Sequence, residues 1–495
     1  IKVMWTAAEF LICATCGVSH TRMGRAMELS KMFKFGTVGR STATDVLIGS
    51  TMQELPDTQQ KTIAFSDNRQ DTALQAAHLN NLYQRVKFRR ALYEALKSHD
   101  RVSLADIGNR TFDALEENDA LPNKLQTTRF GVPDDEKARF SEYLQFHVLL
   151  ELRKSQQRGQ QSLEDVGLLD VEYEHLDDLA EIDEVWEGIP ELETADPEVR
   201  HEYCKAFLDL FRRTAAVNHS IFTNFGDFRR NTINNLHEET KFHKQQYFRF
   251  PEGFSDTADT SGTEQIHRLT DWRSRHVKWT TRAFDVDTGR AAEGINGVVD
   301  LLSDENELPL LVEDSVYRGR AAYMLNPGFV KLVAHDPSDV SVCPKCKTVV
   351  TRDRLRLCLN SSCGNVVPEP TDLRDSYFYD LYSLPFDKAV DILAAEHSGQ
   401  IEGELRKELE TRFREDDDLN TIVCTPTMEL GIDIGDLSNV FMRNVPPNPS
   451  NYAQRSGRAG RQSQPSLVTT FCGSGFGRAS HDQYFYTRPD RTLCG

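Results

Sequence analysis

Three arginines at intervals of three close the run Asn451-Tyr452-Ala453-Gln454-Arg455-Ser456-Gly457-Arg458-Ala459-Gly460-Arg461, with small residues between them. A guanidinium is a planar, permanently charged fork suited to bidentate contacts with phosphate oxygens. Gly457 and Gly460 let the backbone come close to a ligand or a neighbouring lobe. The other reading of the run is a solvated basic loop. Upstream lies Thr425-Pro426-Thr427-Met428-Glu429-Leu430-Gly431-Ile432-Asp433-Ile434-Gly435. Ile422 and Val423 before it read as a buried strand, which delivers Thr425 to the strand's carboxyl end, the edge of an α/β sheet where ligands bind. Asp433, flanked by Ile432 and Ile434, must turn from the apolar side toward a polar partner, and a ribose hydroxyl is a natural one.

A second chemistry is carried by Cys343-Pro344-Lys345-Cys346, Cys358 and Cys363, spaced C-x2-C-x11-C-x4-C. Four thiolates satisfy tetrahedral Zn2+ and leave no open position, so the site expected is a structural zinc ribbon; unliganded buried thiols are the alternative. Cys13 and Cys16, with His20 nearby, make half of a further metal site. Cys204, Cys424, Cys472 and Cys494 stand alone and read as packing or surface residues. Paired cysteines without a secretory signal point to a reducing compartment, and a cytoplasmic location is expected.

The elements that must position these groups are α/β in texture. Thr62–Phe65 reads as a strand, residues 66–70 as a polar turn, and Leu79, Leu82, Val86, Tyr93 and Leu96 as one face of a helix. Later, Val390, Ile392 and Ala394 alternate as a strand, and Leu405, Leu409 and Phe413 mark a helix. Thr421–Cys424, Val440–Met442 and Leu467–Phe471 read as further strands. Residues 99–264 between them are mainly helical in spacing, as at Phe207, Leu208 and Phe211. Their acidic stretch, Glu164 to Glu198, is expected to be a solvated helix face or linker, and Gly253 to Glu264 a linker. Over 265–336, a helix through Val298 and Leu302 precedes two apolar runs joined across Arg318, Gly319 and Arg320, the order of a winged helix or of an ordinary helix-hairpin unit. Arg268, Arg273, Arg275, Lys278 and Arg282 interleave with Trp272 and Trp279, a pattern that suits a nucleic-acid strand or, equally, a helix surface with a tryptophan anchored in the core.

The stretches 425–435 and 451–461 resemble motifs V and VI of superfamily 2 helicases, and Phe65-Ser66-Asp67-Asn68-Arg69 resembles motif IV. His397-Ser398-Gly399 resembles the loop after the next strand of the same C-terminal RecA-like lobe. The finer wording looks like the YprA/MrfA-like branch, which includes DISARM-type defence helicases. The likeness covers 61–97 and 388–475, about a quarter of the chain. It implies that Arg458 and Arg461 reach the γ-phosphate of ATP, with Gln454 and Arg455 ordering them. It further implies that Asp433 bonds the ribose beside Gly431, that Thr425 contacts a nucleic-acid backbone and that Arg69 lies near the strand path. The implied cofactors are ATP and Mg2+, held mainly by a missing N-terminal RecA-like lobe. The implied partners are that lobe, DNA (with RNA left open) and proteins of repair or defence. The sequence contains neither GxxxxGK[ST] nor a DExH box, so that machinery is expected upstream in a longer protein, and this chain alone is expected to be inactive. The alternative is a non-catalytic DNA-binding module built on a degenerate helicase lobe.

The 495 residues suggest several domains, and both ends, Ile1 and Gly495, read as cuts. The net charge of -18 speaks against coating nucleic acid by bulk charge but allows a basic channel in an acidic shell. No apolar run is long enough for a membrane helix. The fold expected is an α/β, RecA-like parallel-sheet lobe with a large, mainly helical insertion, a winged-helix-like module and a zinc ribbon. Its divisions are 1–57 (inter-lobe connector), 58–98 (lobe, first part), 99–264 (helical insertion), 265–336 (winged-helix-like), 337–371 (zinc ribbon) and 372–495 (lobe, second part).

Overall fold

The computed structural model describes residues 40–66, 69–122, 124–125, 131–153, 161–242, 252–256, 266–304, 308–315, 321–364, 366–399, 401–415, 419–425, 437–460, 466–472, 482 and 484–486. Two distant parts of the sequence form one five-stranded parallel sheet. Its spatial order is Ala394–His397, Thr421–Cys424, Thr62–Phe65, Asn439–Met442, Leu467–Thr470, with the earliest strand at the centre. Successive side chains of a strand point to opposite faces. Ala64, Val423 and Phe441 therefore enter one core, and Ile63, Phe65, Ile422, Cys424, Val440 and Met442 the other. Burial on both faces explains the unbroken apolar runs. This is the RecA-like α/β lobe.

The helix Arg69–Lys97 packs on Ala394–His397 and Thr421–Cys424, and the helix Arg40–Glu54 packs on it and on Asn439–Met442. The tail of the region expected to be a connector thus lies against the lobe. Gly49 marks the close approach of the two helices, since a Cβ there would collide with the Tyr83 ring. Val390 and Ile392 are buried, but the strand begins only at Ala394.

The insertion carries helices Ile107–Glu117, Asp134–Glu151 and Pro197–Arg212, and a three-stranded sheet in which Val330–Ala334 lies between Val102–Ser103 and Leu169–Tyr173. It is joined to the lobe through Arg89 of the long helix, whose guanidinium bonds Glu151 at 2.8 Å and the Tyr382 hydroxyl at 2.7 Å. Two expectations are corrected here. The acidic stretch is not a linker: Leu169, Val171, Tyr173, Leu176 and Trp186 within it are buried and its Glu164 is held by Arg212, while Asp177, Asp178 and Glu181 form the solvated face of the helix Leu176–Glu181. Leu169–Tyr173 alternates apolar and acidic residues, as a half-buried strand does. Nor is Gly253 to Glu264 wholly a linker, because Gly253–Phe254 pairs with Ile266–His267 and with Ala321–Leu325.

Over 265–336, helices Arg275–Phe284 and Thr288–Ser303 precede an antiparallel hairpin, Leu311–Ser315 with Ala321–Leu325. The tip with Arg318 and Arg320 lies outside the described residues. No helix among the described residues is long and apolar enough to cross a membrane.

Candidate functional site

The strands of the parallel sheet all end at the same edge, and polar residues follow each apolar end. Ser66, buried after Phe65, donates its N–H to the Cys424 carbonyl at 2.9 Å, and Thr425, also buried, follows Cys424. Arg443 follows Met442. It donates its N–H to the Phe65 carbonyl at 2.9 Å, and its guanidinium reaches the hydroxyls of Ser66 (3.3 Å) and Ser41 (3.2 Å) and the carboxylate of Asp71 (3.3 Å). The sequence reading missed Arg443. Its signal was the one that marked Thr425: a polar residue directly after a buried strand.

His397 is fully buried with Nε2 at 2.9 Å from Glu410, and Ser398 donates its hydroxyl to Glu396 at 2.9 Å. Arg69 places its Nε 3.4 Å from the same Glu396 carboxylate and keeps about half of its side chain in solvent (54%). Asp67 and Asn68 of that turn lie outside the described residues.

Asn448 caps the helix Pro449–Ser456, its side chain accepting the Asn451 N–H at 2.9 Å, and Pro449 occupies the first turn, where its missing N–H costs nothing. The helix returns the chain along the sheet between two parallel neighbours, Asn439–Met442 and Leu467–Thr470. Arg455 on it is 2% exposed, with its guanidinium 5.4 Å from the centre of the Phe65 ring. Gln454 is exposed. Arg458 is buried past the helix end, its N–H donated to the Arg455 carbonyl at 3.2 Å. Both glycines have a local reason. A Cβ on Gly457 would lie 2.9 Å from the Ala453 carbonyl, and Gly460 has φ +74 and donates to the Leu437 carbonyl at 3.0 Å.

Ser66, Thr425 and Arg443 thus share the carboxyl edge, Arg455 is fixed to the last residue of the central strand, and Arg458 sits on the return toward Leu437. Gly431, Asp433 and Arg461 lie outside the described residues.

The cysteine cluster is assembled. Cys343, Cys346, Cys358 and Cys363 place their sulfurs within 4.8 Å of one another, with Cys343–Cys363 at 3.8 Å and Cys346–Cys358 at 3.4 Å. Tetrahedral zinc with bonds of ~2.3 Å requires sulfurs about 3.8 Å apart, so the cluster fits that ion. It sits beside a small sheet in which Val340–Val342 lies between Val349–Val350 and Glu369–Thr371. Lys347 (φ +59) and Gly364 (φ +80) take the left-handed conformations that close its two knuckles. Metal analysis of the purified chain is expected to find zinc, with one equivalent lost in Cys346→Ser; metal content unchanged by that substitution would contradict the ribbon. Cys13, Cys16 and His20 lie outside the described residues.

Residues 377–463 match the helicase conserved C-terminal domain. The chain is 44% identical over 81 residues to the Druantia protein DruE of Escherichia coli (strain UMEA 4076-1), over 16% of this chain and 4% of that protein. It is 36% identical over 75 residues to the ATP-dependent helicase HRQ1 of Saccharomyces cerevisiae, over 15% of this chain and 7% of HRQ1. It is also 36% identical over 85 residues to the uncharacterized ATP-dependent helicase YprA of Bacillus subtilis, over 17% of this chain and 11% of YprA. The matched segments are thus a small part of each relative. Among solved structures, the DUF1998 helicase MrfA bound to DNA and AMPPNP is similar over 22% of this chain and 15% of MrfA, with 28% identity and a TM-score of 0.20. The chain therefore carries the C-terminal RecA-like lobe of a superfamily 2 helicase, similar to YprA and DruE.

Proposed function

We propose that this chain is the C-terminal part of an ATP-dependent DNA helicase or translocase acting in DNA repair or phage defence. The observation that carries the reading is the shared carboxyl edge of Ser66, Thr425 and Arg443, next to a helix whose Arg455 is fixed on Phe65. Ligands of open α/β sheets bind at such an edge. Thr425 and Arg69 contact the DNA backbone there. Arg458 and Arg461 act on the γ-phosphate of an ATP whose Mg2+ and phosphates are held mainly by another RecA-like lobe. Gln454 and Arg455 order that pair, and Asp433 and Gly431 meet the ribose. The four-cysteine cluster holds a structural zinc. The domain divisions given above are part of the same proposal.

The protein's own contribution to the chemistry is electrostatic. Charge spreads onto phosphoryl oxygens during transfer, and a guanidinium already in place stabilises it without reorganisation. Bound Mg2+ would neutralise charge on the β- and γ-oxygens. The chain by itself is expected to release no phosphate from ATP with or without DNA, whereas the intact protein hydrolyses ATP and DNA stimulates it. Phosphate release by the chain alone, abolished by Arg458→Ala, would overturn this division of labour.

A further inference from the structure

The insertion carries a surface that the lobe's chemistry does not use. In a chain of net charge -18, residues 268–282 hold five arginines and lysines against one acid, Asp271. The helix Arg275–Phe284 sorts them. His276, Val277, Trp279 and Thr280 face the core, while Arg275, Lys278 and Arg282, at i, i+3 and i+7, lie on the outer side. Trp279, the tryptophan anchored in the core, donates its ring N–H to the Leu357 carbonyl at 3.4 Å, and Arg282 bonds the Gly364 carbonyl, so the cysteine-bearing segment braces the helix on its core side and near its C-terminal end.

Trp272 is different. Its side chain is 63% exposed, and the Arg273 guanidinium lies 5.3 Å from its ring centre. The turn presenting it is held rigidly. Asp256 accepts the N–H groups of Leu269 (2.9 Å) and Thr270 (3.0 Å), and Asp271 accepts that of Arg273 (2.8 Å). The Ser274 hydroxyl donates to the Leu269 carbonyl (2.6 Å) and accepts the Val277 N–H (3.0 Å), starting the helix. Beside the turn opens a basin of about 340 Å³ rimmed by His267, Arg268, Arg273 and Arg275 over Phe254 and Ile266. The strand Ile266–His267 beneath it is the edge of its four-stranded sheet.

An exposed tryptophan on a fixed turn, next to a row of cations, has the two parts of a single-strand site: a face for a base and charges for the phosphates. We infer that this surface binds single-stranded nucleic acid, with a base stacked on Trp272 and the backbone running over Arg273, Arg275 and Lys278. The inference deepens the motor reading by extending its strand path onto the insertion, and its function rests on that reading; its test needs no ATP.

The test is the binding of a labelled oligothymidine by the chain, by fluorescence anisotropy across a salt series, with a blunt duplex as comparison. Trp272→Ala is expected to weaken oligothymidine binding on the order of tenfold, the range for losing one stacked base, and to leave the duplex nearly unaffected. Trp272→Phe keeps a ring and is expected to bind like the wild type. Arg273→Ala and Arg275→Ala are each expected to flatten the dependence of log K on log salt by about 0.7. The side chain of Trp272 lies largely outside the core, so unchanged melting should accompany its loss. Wild-type affinity in Trp272→Ala, or equal losses in Trp272→Ala and Trp272→Phe, would overturn the site. If DNA stimulates the ATPase of the intact protein while Trp272→Ala binds normally, the strand site fails and the motor stands. If Trp272→Ala binds weakly but the intact protein has no ATPase, the motor reading fails and the site stands.

Discussion

Arg458→Lys in the intact protein is expected to lower ATP turnover by about 10³-fold or more, the lower end of what a positioned arginine contributes in phosphoryl transfer. Lysine keeps the charge but loses the planar fork that grips two oxygens at once. The loop has little freedom to adapt. Arg455 is buried against Phe65, Gly457 leaves no room for a Cβ, and Gly460 is tied to Leu437 in the left-handed conformation. A side chain of different reach cannot recover its geometry by shifting this backbone. Steady-state phosphate release by the folded variant checks the expectation.

The second large effect is on stability and lies in the insertion. Glu164 accepts two hydrogen bonds from Arg212, at 2.9 and 3.0 Å, and is also paired with Arg213. Arg212 is 2% exposed and also donates to Asp209 and to the Leu152 carbonyl. Burial alone would raise the Glu164 carboxyl, but the two guanidiniums outweigh it and hold the group below the ordinary carboxylate range. Glu164→Ala leaves Arg212 paired with Asp209 and takes away the carboxylate that pairs with Arg213, and removing one partner of a buried ionic network costs about 3–5 kcal/mol. A carboxyl whose folded value is depressed contributes stability that is present above its unfolded pKa and lost as pH falls through the folded value. Wild-type stability should therefore decline on acidification, and Glu164→Gln should show a shallower decline. Thermal unfolding from neutral to acidic pH reads both effects. A melt of Glu164→Ala matching the wild type would show that the cluster contributes nothing.

The lobe was legible in the sequence because its parallel strands are buried on both faces and read as plain apolar runs, and because helix Arg69–Lys97 carries a full apolar stripe. What escaped depends on partners far along the chain. The strand Leu169–Tyr173 is half acidic, and its place is set by Val330–Ala334, beyond any local pattern. Most acids of the stretch are solvated, as read, but the folded role of its Glu164 and Asp170 was hidden because the cations that pair with them, Lys205, Arg212 and Arg213, come from later in the chain. Of the candidate site, the cysteine cluster was readable from spacing alone, since a metal fixes both residue type and interval. Arg443 carried the same local signal as Thr425, a polar residue directly after a buried strand, but its partners Ser66, Asp71 and Ser41, far upstream, were not legible. Arg455 was expected to order Arg458 and Arg461; that its guanidinium lies against Phe65 depends on a strand far upstream, which no local pattern shows.

The central claim is the proposal that this lobe completes an ATP site through Arg458 and Arg461 while gripping DNA elsewhere. The most direct measurement is ATP turnover and DNA affinity side by side on intact, folded Arg458→Lys and Arg461→Lys proteins. The expected result is a collapse of turnover in both with DNA affinity nearly unchanged. Near-normal turnover in both, or equal losses of turnover, DNA affinity and thermal stability, would contradict it.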